Sequence, residues 1–192
     1  MHKTILIIGG CRSGKSRHAL ELAESLKTDN KLFIATCVPY DDEMKKRVER
    51  HQRERSDDWQ TLEVPLKLPE AIQEHSLKSD LILVDCLTLW ITNLLMEADN
   101  PDSVTTAALH LQTALEKARC PVILVSNEVG AGIVPENLLA RQFRDAAGQT
   151  NQQIAACADR VVWMVAGIPV TIKPGNAEFG IWNSESGMRC AE

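Results

Sequence analysis

The sequence predicts an α/β fold in which a mostly parallel sheet carries helices on both faces. Three observations lead to this prediction: apolar runs typical of buried strands, amphipathic patterns between them, and a glycine-rich turn after the first strand. Strands that alternate with helices form βαβ units, which favour parallel strands joined by right-handed crossovers.

The first βαβ unit lies at the start of the sequence. Residues 4–8 form an apolar run that predicts a buried strand, and the pattern from Lys15 to Leu26 predicts a helix. A polar turn at residues 28–30 then precedes a second predicted strand at residues 32–36. This order of elements favours a parallel pair of strands.

A phosphate-binding pattern joins the first strand to the first helix. The segment Gly9-Gly10-Cys11-Arg12-Ser13-Gly14-Lys15-Ser16 fits G-x-x-x-x-G-K-[ST] at every defined position. Glycines let successive backbone N–H groups turn towards a phosphate, and the next helix directs its positive end at the same anion. We expect Lys15 to bind the β- and γ-phosphates and Ser16 to bind Mg²⁺. The alternative is a glycine-rich turn that binds nothing.

A basic segment follows the second predicted strand. A helix is predicted from Asp41 to about Arg55, and Met44, Val48 and His51 fall on one stripe of it. The cationic residues around that stripe are Lys45, Lys46, Arg47, Arg50, Arg53 and Arg55. Nearby cations favour a neutral imidazole, which is a competent nucleophile. A structural histidine on a solvated basic helix is the alternative.

The rest of the chain continues the alternation of strands and helices. Strands are predicted at residues 59–64, 80–85, 121–126, 160–165 and 170–173, the last two as a hairpin around residues 167–169. Helices are predicted at residues 68–75, 87–96 (a helix or a structured loop), 104–118, and from Pro135 with a break near Gly148. We expect one domain over residues 1–173 and a tail of unknown structure over residues 174–192.

Polar side chains stand at the ends of two predicted strands. Asp85 ends one strand, and Asn127 and Glu128 follow another. Because ligands of open parallel sheets bind at the carboxyl ends of the strands, Asp85 is expected to hold Mg²⁺, directly or through water. The alternative for Asp85 is a cap on the next helix. For Asn127 and Glu128 the sequence leaves two roles open: they stabilise the loop, or they contact the substrate.

The bulk composition argues against several functional classes. A net charge of -5 and 4% aromatic residues argue against a nucleic-acid surface. No apolar run approaches the roughly 18 residues of a membrane span. The six cysteines are scattered without a C-x-x-C pair, and the sequence enters its first strand without a signal-peptide pattern. A cytoplasmic protein is therefore expected.

Four blocks of residues together identify a family resemblance. They are Gly9 to Ser16; Asp42-Glu43-Met44 with Arg47 and His51; Asn127-Glu128-Val129-Gly130-x-Gly132-Ile133-Val134-Pro135; and Arg144-Asp145-x-x-Gly148-x-x-Asn151-Gln152. In this order they resemble the bifunctional adenosylcobinamide kinase / adenosylcobinamide-phosphate guanylyltransferase family of cobalamin synthesis. The resemblance covers residues 4 to about 173.

The resemblance implies a RecA-like P-loop NTPase fold, a homotrimer and two reactions. A nucleoside triphosphate, ATP or GTP, phosphorylates the aminopropanol hydroxyl of the corrinoid adenosylcobinamide. GTP then guanylylates a histidine, matched here by His51, and the GMP moves to the substrate phosphate. The nucleotide-binding residues expected are Gly9, Gly10, Cys11, Arg12, Ser13, Gly14, Lys15, Ser16, Glu63 and Asp85, with Ser16 and Asp85 as the Mg²⁺ ligands.

Three other interpretations stay open at this point. One is a small-molecule P-loop kinase with no covalent step, and the second is a regulatory nucleotide-binding protein that turns nothing over. The third is a family member that kept the transferase and lost the kinase. A covalent nucleotide adduct and turnover of cobinamide distinguish these interpretations.

Overall fold

The computed structural model describes residues 4–38, 58–97 and 102–175. The strands are β1 (Thr4–Gly9), β2 (Lys31–Ala35), β3 (Trp59–Glu63), β4 (Leu81–Asp85), β5 (Val122–Asn127), β6 (Arg160–Val165) and β7 (Ile168–Lys173). The helices in these ranges are α1 (Lys15–Ser25), α2 (Leu68–His75), α3 (Leu87–Glu97), α4 (Asp102–Lys117) and α5 (Leu138–Cys157). None of them is long and apolar enough to cross a lipid bilayer.

The strands form one sheet in the order β3-β2-β4-β5-β1-β6-β7. All pairs are parallel except β6 with β7, which is antiparallel. This confirms the prediction of a mostly parallel sheet. Since only β5 separates β1 from β4, the carboxyl ends of these three strands lie side by side, spaced by about 5 Å from strand to strand.

Helices cover both faces of the sheet, as predicted. On one face, Ala19 and Ala23 of α1 pack in a buried cluster with Ile7 and other residues of the strands. On the other face, α2 to α5 contribute to a second and larger cluster, in which Trp90 of α3 and Ile154 of α5 are fully buried. The sheet is therefore apolar on both sides, which explains the near-continuous apolar runs of its strands.

Two details predicted for α5 are wrong. The helix begins at Leu138 rather than at Pro135, because Asn137 is its N-cap and accepts a hydrogen bond from the Ala140 backbone nitrogen at 3.0 Å. It also runs without a break past Gly148 to Cys157. Burial of its inner face outweighs the cost of about 1 kcal/mol that a helical glycine carries.

The hairpin between β6 and β7 is tighter than predicted. Its turn consists of Ala166 and Gly167, which have φ angles of 51° and 85°, and β7 begins at Ile168. Two consecutive residues with positive φ are the signature of a two-residue hairpin turn that matches the strand twist. The second strand of the hairpin therefore begins two residues earlier than the sequence pattern indicated.

An acidic residue of α1 links the helix to the amino ends of two strands. Glu24 accepts hydrogen bonds from the buried ammonium group of Lys31 and from Trp59 Nε1. We expect Glu24→Gln to lower the free energy of unfolding by about 1–3 kcal/mol, because Lys31 would keep its charge in a buried place without a carboxylate. Urea denaturation measures the change. Glu21→Gln on the same helix removes an exposed ion pair with Arg17 and should cost less than about 0.5 kcal/mol. Equal losses in both variants would refute this explanation.

Candidate active site

The phosphate-binding turn is built where β1 passes into α1. Gly9 is the last residue of β1 and Lys15 the first of α1, with Gly14 as the N-cap at φ 90°. This left-handed conformation favours glycine and lets the helix start immediately after the loop. Lys15 is 7% exposed, and its Nζ donates a hydrogen bond to the Gly10 carbonyl oxygen at 2.6 Å. The ammonium group therefore lies within the turn, where a phosphate would be bound.

The β6–β7 hairpin supports this turn from the side. The Gly167 nitrogen donates to the Ser13 carbonyl oxygen at 3.1 Å. A Cβ atom added at Gly9 would lie 2.6 Å from the Met164 carbonyl oxygen and 2.8 Å from Ser13 Oγ. The start of the phosphate-binding turn is thus packed against backbone on one side, so only glycine fits at position 9.

Gly9→Ala is therefore expected to deform the turn. It should lower the free energy of unfolding by about 1–3 kcal/mol and weaken nucleotide binding about tenfold or more, because the backbone of β6 cannot move away without disrupting the sheet. Urea denaturation and calorimetric titration measure the two quantities. Gly10→Ala is the matched control for stability, since nothing lies within 4 Å of an added Cβ there. Loss of stability by the same amount in both variants would contradict the packing argument.

Asp85 ends β4 at the same edge of the sheet. Its peptide bond to Cys86 is cis. Thr36 fixes this corner, because its Oγ1 donates to the Cys86 carbonyl oxygen at 2.7 Å and accepts from the Cys86 nitrogen at 2.9 Å. Burial, followed by the charge of Asp85, raises the pKa of the Cys86 thiol to about 11, so this thiol is neutral at physiological pH. The side chain of Asp85 itself is half-buried.

Asn127 is the last residue of β5 and Glu128 follows it, so both lie between the phosphate-binding turn and Asp85. Asn127 pairs in register with Gly9, and the Glu128 nitrogen donates to the Gly9 carbonyl oxygen at 2.9 Å. The Glu128 carboxylate accepts from the Gly130 nitrogen, and Arg144 Nη2 donates to the Gly130 carbonyl oxygen at 2.6 Å. The loop after β5 is therefore tied both to the phosphate-binding turn and to α5.

The donor atoms at this edge fit a magnesium ion. Ser16 in the first turn of α1 and Asp85 supply a hydroxyl and a carboxylate oxygen, which are the kinds of ligand that Mg²⁺ takes together with substrate phosphates. Among residues 4–38, 58–97 and 102–175, no group of three or more His, Cys, Asp or Glu side chains is placed to hold a metal ion.

The structure brings together most of the residues predicted for the site. Residues 9–16 and Asp85 lie at one edge of the sheet, on strands separated by β5. Glu63 is exposed at the carboxyl end of β3. It lies two strands away from Asp85, because Ala35 of β2 pairs with Glu63 on one side and with Asp85 on the other. His51 and the predicted basic helix lie outside the described residues.

Several residues that shape this edge were not recognised from the sequence. Thr36, Thr88 and Asn93 hold the corner at Asp85 together, and Asn93 Nδ2 donates to the Thr36 carbonyl oxygen at 2.8 Å. Asn151 of α5 donates a hydrogen bond to the end of β5. This residue is part of one of the blocks that support the family resemblance, but its role at this edge was not recognised. A polar residue directly after an apolar strand was the available signal for Thr36, whereas Thr88, Asn93 and Asn151 lie on helices.

Comparisons with known proteins give a consistent result. A family model described as cobinamide kinase / cobinamide phosphate guanyltransferase matches residues 5–172. The bifunctional adenosylcobalamin biosynthesis protein CobU of Escherichia coli (strain K12) is 44% identical, with 88% of this chain and 99% of that protein covered. The bifunctional adenosylcobalamin biosynthesis protein CobP of Pseudomonas aeruginosa is 42% identical, with 88% and 96% covered.

Solved structures resemble this chain in fold. A solved ATPase domain has a TM-score of 0.51 at 14% identity, with 84% of this chain and 69% of that one covered. The protein PH0250 from Pyrococcus horikoshii OT3 has a TM-score of 0.57 at 8% identity, with 92% and 88% covered. The likeness to an ATPase domain confirms the predicted P-loop NTPase fold.

Proposed function

Since the chain belongs to the cobinamide kinase / cobinamide phosphate guanyltransferase family, we propose that it phosphorylates adenosylcobinamide and then transfers GMP from GTP to that phosphate. The product is adenosylcobinamide-GDP, an intermediate of cobalamin biosynthesis. The observation that carries the proposal is the placement of the phosphate-binding turn, with Lys15 inside it, beside Asp85 and Asn127 at one edge of the sheet.

The first reaction is a phosphoryl transfer from ATP or GTP. The hydroxyl oxygen of the aminopropanol arm attacks the γ-phosphorus, the bond from that phosphorus to the β-phosphate oxygen breaks, and the hydroxyl proton passes to solvent. Backbone N–H groups of residues 9–16 and the Lys15 ammonium stabilise the charge that spreads over the phosphate oxygens. Ser16 and Asp85 would hold Mg²⁺, which neutralises phosphate charge when bound.

The second reaction passes through a covalent histidine. A neutral imidazole nitrogen of His51 attacks the α-phosphorus of GTP, and pyrophosphate leaves. A phosphate oxygen of adenosylcobinamide phosphate then attacks the same phosphorus and breaks its bond to nitrogen, which frees His51. The direction of β2 is compatible with this role, because β2 ends at Ala35 at the same edge as the phosphate-binding turn, before the sequence reaches His51.

The nucleotide extends along the same edge in this proposal. Residues 9–16 bind its phosphates, and Glu63 at the end of β3 accepts hydrogen bonds from its sugar or base. The exposed carboxylate of Glu63 and the order of the strands are compatible with this contact. Asp85 lies between these two groups, where the metal and the phosphates meet.

We also propose a homotrimer that works in the cytoplasm. Apolar side chains on one face of the β6–β7 hairpin are exposed and offer a surface for association; they are Trp163, Val165, Ile168, Val170 and Ile172. Cys11, Cys86, Cys120 and Cys157 are free thiols, as is usual in a reducing compartment. Sedimentation equilibrium tests the assembly, and a monomer at micromolar concentration would refute it.

The proposed reactions are tested by following the corrinoid itself. Adenosylcobinamide is incubated with the protein, Mg²⁺, ATP and GTP. The corrinoid products are then separated, and their masses are measured by mass spectrometry. Adenosylcobinamide phosphate is expected first, followed by adenosylcobinamide-GDP. If nucleotide binds while the corrinoid stays unchanged, the protein is a regulatory nucleotide binder. If the reaction stops at the phosphate, it is a kinase without the covalent step.

A further inference from the structure

A buried chain of hydrogen bonds holds Asn127 from two helices. Asn127 Nδ2 donates to Thr88 Oγ1 of α3 at 2.9 Å, and Asn151 Nδ2 of α5 donates to the Asn127 carbonyl oxygen at 3.1 Å. Asn151 Oδ1 accepts in turn from Ser126 Oγ at 2.6 Å. Thr88, Asn151 and Ser126 are 3%, 6% and 0% exposed. The side chain and the main chain of Asn127 are therefore both fixed.

Asn127 is fixed at the centre of the proposed site. It pairs in register with Gly9, the first residue of the phosphate-binding turn. Its strand lies between β1 and β4, so Asn127 stands between that turn and the corner at Asp85. Asn127 therefore lies at the carboxyl ends of the strands, where ligands of open parallel sheets bind.

The orientation of the amide decides what it can bind. Its nitrogen donates to Thr88, and within the described residues its Oδ1 accepts no hydrogen bond. A carbonyl oxygen can accept from a hydroxyl group, whereas a phosphate oxygen without a proton has nothing to donate. The amide oxygen of Asn127 therefore suits the alcohol that attacks rather than the phosphate that is attacked.

We propose that Asn127 Oδ1 orients the attacking hydroxyl of the first reaction, and that Thr88 and Asn151 are the positioning residues that aim it. This inference rests on the proposed function. Asn127 takes no proton: the hydroxyl oxygen forms the bond to the γ-phosphorus, the bond to the β-phosphate oxygen breaks, and the proton passes to solvent. The contribution of Asn127 is the alignment of the oxygen with the phosphorus.

The second reaction provides an internal control. Its acceptor is a phosphate oxygen, which has no proton for Asn127 Oδ1 to accept. Asn127→Ala should therefore lower kcat for phosphorylation of adenosylcobinamide about a hundredfold. The same variant, given adenosylcobinamide phosphate and GTP, should transfer GMP at a rate within about threefold of the wild-type rate. A merely structural role would lower both reactions alike.

The positioning role is tested at Thr88, with a matched threonine on the same helix. Thr88→Val removes the hydroxyl that holds Asn127 and should lower kcat of phosphorylation about tenfold, with the KM for nucleotide within about twofold. Thr88→Ser should restore most of the rate. Thr92→Val is the control, because the Thr92 hydroxyl donates to the Thr88 carbonyl oxygen, at 3.0 Å within the helix, and contacts Asn127 in no hydrogen bond of the described residues. Its kcat should match the wild type.

The possible outcomes separate the inference from the proposed function. If the wild type makes no corrinoid product, the proposed function fails and the inference fails with it. If the wild type is active and Asn127→Ala slows both reactions equally, or Thr92→Val loses as much as Thr88→Val, the inference alone is overturned. Selective loss of phosphorylation with rescue by Thr88→Ser supports it.

Discussion

Lys15→Ala is expected to lower the kcat/KM of both reactions by on the order of a thousandfold, which leaves almost no activity. The ammonium group lies inside the phosphate-binding turn, with Nζ 2.6 Å from the Gly10 carbonyl oxygen, and the side chain is 7% exposed. In the proposed first reaction this charge would stabilise the transferred phosphoryl group. In the proposed second reaction it would stabilise the pyrophosphate that leaves, so a single residue would serve both.

The two rates are measured separately, with adenosylcobinamide and ATP for the first and with adenosylcobinamide phosphate and GTP for the second. Lys117→Ala replaces an exposed lysine at the end of α4 and should leave both rates unchanged. If Lys15→Ala kept either reaction near the wild-type rate, that reaction would use a different phosphate site, and the proposal of one shared site would be wrong.

His51→Ala is expected to separate the two reactions. GMP transfer to adenosylcobinamide phosphate should fall below detection, because no other nucleophile is proposed for the α-phosphorus. Phosphorylation of adenosylcobinamide should continue within about threefold of the wild-type rate, since the hydroxyl attacks the γ-phosphorus directly. Separation of the corrinoid products by mass gives both quantities in one experiment.

His110→Ala is the matched control for this variant. His110 is exposed on α4, and its loss should change neither reaction. Continued GMP transfer by His51→Ala would mean that GTP is attacked directly by the substrate phosphate. Loss of both reactions in His51→Ala would instead make His51 a general nucleotide-binding residue.

Much of the fold could be predicted because it depends on local patterns. Strands buried on both faces are continuous apolar runs, so β1, β4 and β5 were evident from sequence. The two predictions that failed for α5 failed for different reasons. Its start depends on a local cap at Asn137, whereas its passage through Gly148 depends on the core that packs against its inner face.

The candidate site likewise contains residues that could be predicted from the sequence and residues that could not. The phosphate-binding turn has a fixed spacing imposed by its ligand, so residues 9–16 could be recognised directly. The support of Asn127 has no such spacing. Thr88 lies on the helix that follows β4, and it meets Asn127 because β4 and β5 are neighbours in the sheet. Asn151 lies on α5 and meets Asn127 from 24 residues away in the chain. Tertiary packing sets both contacts, and no local pattern encodes them.

The most direct test of the proposed mechanism is the mass of the intact protein after incubation with Mg²⁺ and GTP. If the phosphate-binding turn presents the α-phosphorus to His51, the protein gains the mass of one GMP unit, and peptide mapping places it on His51. The adduct should disappear when adenosylcobinamide phosphate is added. An unchanged mass under conditions where adenosylcobinamide-GDP still forms, or an adduct on another residue, would contradict it.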